Sequence, residues 1–229
     1  MSRLTIRYKH MFDAILWDFG GVFTSSPFDN FNVYERAHSL PVDFIRSVNA
    51  TNPDSNAWAM FEASRISMQT FDTAFANESQ TLGHRVPGAD VLALLSGAVR
   101  PAMVNALLAC KQRFKVACLT NNVKWGKGPT MSTDAPRIAE VEQVMSHFDL
   151  VMQSSVEGMR KPQPEFYKLA CERLAVPPER IVYLDDLGIN LKPARALGMT
   201  TIKVVSESQA LNDLEQLLGL NLRTPSTET

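Results

Sequence analysis

Short apolar segments bounded by glycine or polar residues recur along much of the chain and predict buried strands. They read FDAILWDF, FKVACLT, FDLVMQSS, IVYLDD and MTTIKVV. Short continuous apolar runs of this kind are typical of parallel strands that are covered on both faces. The segments between them carry apolar residues at helical spacing, so strands and helices alternate. This alternation predicts an α/β fold with a doubly wound, three-layer core around a parallel sheet.

The pattern changes after the first predicted strand. Apolar residues lie at helical spacing in FDNFNVYERAHSL, PVDFIRSVNAT and NAWAMFEASRISMQTFDTAFANESQTLG, and breaks such as TNPDSN separate these segments. No segment there has the pattern of a strand. We therefore predict a small helical domain, residues 27–83, inserted after the first strand of a core formed by residues 11–26 and 84–222.

Composition narrows the class of protein. Hydrophobic residues make up 45% of the chain, charged residues 21%, and the net charge is -1, which is ordinary for a globular protein. Lysine and arginine are scattered, so we expect no nucleic-acid partner. No apolar run approaches the roughly 20 residues of a spanning helix, and the three cysteines form no CxxC pair. We expect a cytoplasmic protein without a membrane partner, and nothing in the sequence indicates an oligomeric state.

Polar residues with catalytic potential follow the predicted strands. In open α/β sheets, ligands bind outside the carboxyl ends of the strands. The residues expected at that edge, in chain order, are Asp18, Thr120, Asn121, Lys161, Asp185 and Asp186. Carboxylates from two strands can hold Mg²⁺, and a lysine beside them can offset the charge of an incoming phosphate. An aspartate placed there can attack phosphorus and form an aspartyl-phosphate.

Four motifs occur in order along the chain: WDFGGVF around Asp18, LTN at 119–121, RKPQPEFY with Lys161, and YLDDLGIN at 183–190. They resemble the motifs of the haloacid dehalogenase superfamily of aspartyl-phosphate hydrolases. The last third of the chain is similar to the N-terminal phosphatase domain of soluble epoxide hydrolase. This resemblance implies a Rossmann-like core, with the helical insertion acting as a cap that shields the site and selects the substrate.

The resemblance also implies roles for individual residues. Asp18 would be the nucleophile and a ligand of Mg²⁺, with the backbone carbonyl of Gly20 and the Asp186 carboxylate as further ligands. Asp185 would be a catalytic residue that orients metal-bound water, and Asn190 stands where many relatives have another acid. The phosphate would be bound by Thr120, Asn121 and Lys161, of which Lys161 would also contact the nucleophile.

Gly20 departs from the pattern of most phosphatases of this family, which have a second aspartate there as general acid and base. Such help is typically worth about 10²–10⁴-fold in rate. We expect a Mg²⁺-dependent phosphomonoester hydrolase acting on a small phosphorylated metabolite. Because dehalogenases also lack that acid, a 2-haloacid dehalogenase remains an alternative, although it needs no metal and Arg36 is a poor match for its arginine. A non-catalytic phosphate- or metal-binding protein is the third alternative.

Other conspicuous residues have simpler interpretations. The histidines lack paired spacing and are interpreted as surface or structural residues: His10, His38, His84 and His147. In NAWAMFEASR, a set of residues shares one helix face and is interpreted as packing within the cap rather than contacting substrate: Trp58, Phe61, Glu62 and Arg65.

Overall fold

The core is a sheet of parallel strands, as the sequence predicted. The computed structural model describes residues 11–63, 65–95, 97–122 and 135–223. Within them, a five-stranded sheet has the order β3-β2-β1-β4-β5. Its strands are β1 (Ala14–Trp17), β2 (Lys115–Thr120), β3 (Leu150–Gln153), β4 (Ile181–Asp185) and β5 (Thr200–Lys203). The neighbours of β1 are β2 and β4, so the carboxyl ends of these three strands lie side by side.

Helices cover both faces of the sheet. One face packs against α6 (Pro101–Lys111), α7 (Ala135–Met145) and α11 (Glu207–Leu218), and the other against α9 (Pro164–Leu174) and α10 (Gly188–Ala196). A short helix, α8 (Ser154–Glu157), follows β3 directly. These layers confirm the predicted three-layer α/β core.

Strand β1 shows why its sequence is continuously apolar. Ile15 and Trp17 belong to the hydrophobic cluster on one face, whereas Ala14 and Leu16 belong to the cluster on the other. Successive side chains of a strand point to opposite faces, and both faces of this strand are covered by helices. Every residue of β1 is therefore buried.

The insertion after β1 is helical, as its periodicity predicted. It contains α1 (Pro27–Ala37), α2 (Phe44–Ala50), α3 (Ala57–Glu62) and α4 (Met68–Thr81). Ser26, Asn56 and Ser67 accept backbone hydrogen bonds at the starts of α1, α3 and α4 and so satisfy N–H groups that lack helical partners. These helices pack around a hydrophobic cluster of their own, rich in phenylalanine.

The next helix, α5 (Gly88–Ala93), belongs to the same hydrophobic cluster through Val91 and Leu92. It begins beyond residue 83, the predicted end of the cap. That end of the cap stays a prediction. Among the described helices, none is long and apolar enough to cross a membrane.

Candidate active site

The strand ends bring the predicted residues to one edge of the sheet. Asp18 follows β1, and its backbone N–H donates to the carbonyl of Leu184 in β4 at 2.8 Å. Thr120 is the last residue of β2. Asp185 is the last residue of β4 and Asp186 comes next. Residues more than 160 positions apart in sequence thus become neighbours because parallel strands end at the same edge.

A buried ion-pair cluster lies at the centre of this edge. The Lys161 ammonium is 2.7 Å from Asp18 Oδ1 and 3.0 Å from Asp185 Oδ2. Lys161 is only 2% exposed. Burial by itself lowers the pKa of the ammonium, but the charges and hydrogen bonds of the two carboxylates outweigh burial and raise that pKa well above its usual value. The lysine therefore stays protonated at neutral pH.

The Asp18 carboxylate is in a different electrostatic position. Its Oδ1 also accepts a hydrogen bond from the backbone N–H of Phe19 at 2.6 Å. Burial raises the pKa of Asp18 well above its usual range; Lys161 opposes this shift, while the charges of Asp185 and Asp186 add to it. One ammonium thus faces several acids, and a further cation would help to keep Asp18 ionised.

Asp185 is held by donors on both of its carboxylate oxygens. Oδ2 accepts from Lys161 at 3.0 Å and from the hydroxyl of Tyr183, and Oδ1 accepts from the backbone N–H of Leu187 at 2.8 Å. The amide of Asn190 lies 3.1 Å from each oxygen. The Asn190 amide therefore donates to Asp185, where a second acid would repel it. Asp185 is suited to orienting its neighbours rather than to binding a ligand directly.

The acids at this edge fit a divalent cation. One carboxylate oxygen each from Asp18, Asp185 and Asp186 lie within 4.8 Å of one another. Burial, followed by the charge of Asp185, raises the pKa of Asp186 to about 6. Hard oxygen donors at this spacing are the ligands that Mg²⁺ prefers. With Asp185 fully hydrogen-bonded, Asp18 and Asp186 are the carboxylates left to hold the ion.

The glycine loop after Asp18 makes room for this arrangement. Gly21 has φ +73°, and a Cβ there would lie 2.2 Å from Oδ2 of Asp186. Only glycine allows the Asp186 carboxylate to lie against the loop. At Gly20, in contrast, a Cβ would have no neighbour within 4 Å. The predicted contribution of the Gly20 carbonyl to a metal site stays a prediction.

Asn121 takes part in the site through Lys161. Its side-chain nitrogen donates to the Lys161 carbonyl at 3.0 Å, and its side-chain oxygen accepts from the Lys161 N–H at 2.9 Å. This pair of hydrogen bonds positions the backbone of the lysine beside Asp18. Direct binding of phosphate by Asn121 and by the buried Thr120 stays a prediction.

A cavity of about 640 Å³ opens above this edge, between the core and the cap. Its wall includes the predicted residues Asp18, Gly20, Lys161 and Asp186. Most of the remaining wall is apolar and includes Phe28, Phe31, Trp58, Leu95, Val141 and Ile189. The cavity therefore joins a charged end, built by the core, to a largely apolar volume that also carries the polar cap residues Arg46, Asn49 and Glu62.

The residues of NAWAMFEASR that share one helix face lie in two different environments in the structure. Phe61 packs in the cap cluster, as expected, but Trp58 and Glu62 line the cavity. Trp58 also packs against the cap cluster, with its ring 5.8 Å from that of Phe71, so one stripe of a helix with 3.6 residues per turn both packs and faces a cavity. The expectation that these residues do not contact substrate stays a prediction. The exposed Arg36 does not line the cavity, whereas Arg46 and Arg160, which sequence reasoning missed, do.

Several curated proteins are similar to this chain. Acyl-CoA dehydrogenase family member 10 of Mus musculus is 31% identical over 97% of this chain, and bifunctional epoxide hydrolase 2 of Mus musculus is 29% identical over 81%. The matches cover 21% and 35% of those proteins, so this chain spans about a third of their length or less. Sesquiterpene phosphatase astK of Aspergillus oryzae is 26% identical over 91% of this chain and 97% of its own.

The fold also has solved counterparts. A haloacid dehalogenase family enzyme of Bacteroides thetaiotaomicron, in complex with magnesium and inorganic phosphate, superposes with a TM-score of 0.56 at 18% identity, covering 86% of this chain and 98% of its own. The family model described as haloacid dehalogenase-like hydrolase matches residues 12–198. These matches confirm the resemblance to this family and the α/β fold with its parallel sheet. The chain is a hydrolase and belongs to the haloacid dehalogenase-like hydrolase family.

Proposed function

We propose that this hydrolase is a Mg²⁺-dependent phosphomonoester hydrolase that forms an aspartyl-phosphate on Asp18. The observation that carries this proposal is the position of the Asp18 carboxylate, between a buried, protonated Lys161 and the neighbouring acid Asp186. Few other reactions need a buried carboxylate, a fixed ammonium and a cation-binding acid at one point. Phosphoryl transfer through an aspartyl-phosphate uses all three, because the carboxylate attacks phosphorus while the ammonium and the cation offset the negative charge of the incoming group.

Each residue has a separate task in this reaction. Lys161 offsets the charge of the phosphoryl group and holds Asp18 in the orientation for attack. When bound by Asp18 and Asp186, Mg²⁺ supplies electrostatic stabilisation of the phosphoryl oxygens. The Asp18 oxygen forms a bond to phosphorus while the ester bond breaks. A water molecule then attacks phosphorus, the bond to Asp18 breaks, and inorganic phosphate leaves.

The cavity supports a narrower substrate class, the phosphate esters of apolar alcohols. Phe28, Phe31, Trp58 and Ile189 offer few hydrogen bonds to a polyhydroxylated sugar. An alcohol that buries about 200 Å² of apolar surface there would gain about 5 kcal/mol. The similarity to a sesquiterpene phosphatase supports the same class.

The test is release of inorganic phosphate from 4-nitrophenyl phosphate, farnesyl phosphate and glucose 6-phosphate, each with Mg²⁺ or with chelator. We expect turnover of the first two with Mg²⁺ and a much lower kcat/KM for the sugar phosphate. Asp18→Asn should lose all turnover. Asp213→Asn, a matched change on the exposed face of α11, should keep it.

Absence of phosphate release from every ester would refute the proposal. Chloride release from 2-chloropropionate that persists in chelator would instead support a dehalogenase. Tight binding of phosphate or Mg²⁺ without any turnover would support a non-catalytic protein.

A further inference from the structure

Cleavage of an alkyl phosphate requires a proton donor for the leaving oxygen, and the residues at the edge of the sheet do not provide one. An alkoxide is a poor leaving group unless it receives a proton as the ester bond breaks. In phosphoryl transfer the attacking and leaving oxygens lie roughly in line with phosphorus. The leaving oxygen therefore points away from Asp18, toward the cap. Gly20 has no side chain to offer a proton, and the space where a Cβ would stand is open.

Few groups in the cavity can supply that proton. Among the described residues of its wall, the carboxyl groups belong to Asp18, Glu62 and Asp186. That described part of the wall contains no histidine, cysteine or tyrosine. Arginine side chains remain protonated, and Lys161 is held between two acids on the side of the nucleophile. Asp18 forms the bond to phosphorus and Asp186 belongs to the cation site. Of the carboxyl groups on the described part of the wall, Glu62 is the one that remains.

Glu62 enters the cavity from the cap. It is the last residue of α3, and its side chain is 15% exposed. Its Oε2 lies 3.0 Å from Nη1 of Arg160, and Trp58 on the same helix is a neighbour of the carboxylate. Arg160 precedes Lys161 in the chain and donates to the Lys161 carbonyl at 3.4 Å. The ion pair therefore holds the cap carboxylate next to the segment that carries the core ammonium.

The surroundings of Glu62 also favour proton exchange. Burial raises the pKa of Glu62 above its usual value, although Arg160, Trp58 and Lys161 each oppose the shift. A raised pKa makes the protonated form of a carboxyl group more accessible than it is for an exposed glutamate. Such a group can both donate a proton and take one up.

We propose that Glu62 is the general acid and base of this enzyme, supplied by the cap in place of a side chain at position 20. This inference rests on the proposed phosphatase function. In the first step, the bond from Asp18 to phosphorus forms, the ester bond breaks, and the Glu62 proton passes to the leaving oxygen. In the second step, Glu62 takes a proton from the water that attacks phosphorus, the bond to Asp18 breaks, and the protonated Glu62 is regenerated.

The experiment compares two esters that differ in their need for a proton. Glu62→Gln should lower kcat for farnesyl phosphate by about 10²–10⁴-fold and for 4-nitrophenyl phosphate by less than about tenfold. The reason is that nitrophenolate leaves without protonation. Gly20→Asp, added to Glu62→Gln, should restore much of the loss on farnesyl phosphate, because the space at position 20 is open to a side chain.

A purely structural role would give a different pattern. If Glu62 only holds the cap against Arg160, then Glu62→Gln and Arg160→Gln would lower kcat for both esters by the same factor, and the inference would be overturned. Circular dichroism and thermal melting of each variant would show whether it is folded.

Should Glu62→Gln fail to fold, the wild-type enzyme still provides a test. Rates of phosphoenzyme formation across aryl and alkyl phosphates should depend only weakly on the basicity of the leaving group. A steep dependence would refute the inference. If wild-type enzyme releases no phosphate even from 4-nitrophenyl phosphate, the proposed function fails. If it does, and Glu62→Gln lowers kcat for both esters by the same factor or for neither, only the inference on Glu62 fails.

Discussion

Lys161→Met would remove the cation that two buried carboxylates share. At an effective dielectric constant of about 20, unit charges 2.7 and 3.0 Å apart attract each other by about 6 and about 5.5 kcal/mol. Much of this attraction offsets the cost of burying the charges. Removing one partner of a buried pair nevertheless costs about 3–5 kcal/mol, because an uncompensated charge stays behind. We expect the free energy of unfolding to fall by that amount at pH 7.5.

The loss in free energy of unfolding caused by Lys161→Met should depend on pH in a definite direction. The pKa of Asp18 is already raised in the folded protein, and loss of Lys161 raises it further. A carboxyl group with a raised folded-state pKa binds more protons when folded, so its destabilising effect shrinks as the pH falls. Lys161 of the wild type has a raised pKa and stays charged between pH 5.5 and pH 7.5. The difference between variant and wild type should therefore be smaller at pH 5.5 than at pH 7.5.

Urea unfolding, followed by tryptophan fluorescence in buffer with chelator, measures this difference. With an m-value of about 2–3 kcal/mol/M, the midpoint should fall by about 1–2.5 M. Lys111→Met is the matched control, because Lys111 pairs with Asp149 at 3.1 Å on the surface and should cost less than about 1 kcal/mol. Equal effects of the two substitutions, or a deficit that is the same at both pH values, would refute the electrostatic explanation.

Three further predictions concern the metal, the apolar wall and the glycine loop. Mg²⁺ should raise the melting temperature of the wild type, with about 2.7 kcal/mol of added stability at 100 times its Kd, and Asp186→Asn should abolish this shift; a wild type that does not respond would argue against the metal site. Ile189→Glu, at a cavity residue that is 61% exposed, should raise the KM for farnesyl phosphate at least about tenfold in steady-state assays, and an unchanged KM would place the apolar group elsewhere. Arg100→Met should raise the Mg²⁺ concentration needed for half-maximal activity, because Arg100 donates to the Gly21 carbonyl at 2.9 Å; an unchanged Mg²⁺ titration would show that this hydrogen bond does not shape the loop.

Much of the core could be predicted from local patterns. Strand β1 is apolar at every position because helices cover both of its faces, and this burial appears in the sequence as a continuous run. The place of Asp18 followed from the same pattern, since a charge that directly follows a buried strand must lie at the edge of the sheet. The motifs then matched one family, and the family model confirms that match over residues 12–198.

The cap was predictable as helical but not in its function. Periodicity shows which face of α3 is apolar, yet Phe61 on that face only packs inside the cap, whereas Trp58 packs against the same cluster and also lines the cavity. A hydrophobic stripe has the same spacing whether it meets a core or a substrate pocket. The pairing of Glu62 with Arg160 joins positions almost 100 residues apart and has no local signature.

The sequence by itself therefore determined the alternation of strands and helices, the helical insertion, and the identity of the polar residues at the strand ends. Only the tertiary structure decided how those residues share their charges. It places one ammonium between Asp18 and Asp185, surrounds Asp185 with donors, and leaves Asp186 against Gly21. The physical reason is that hydrophobic periodicity is a local property of the chain, whereas electrostatic interactions depend on distances between residues that folding alone brings together.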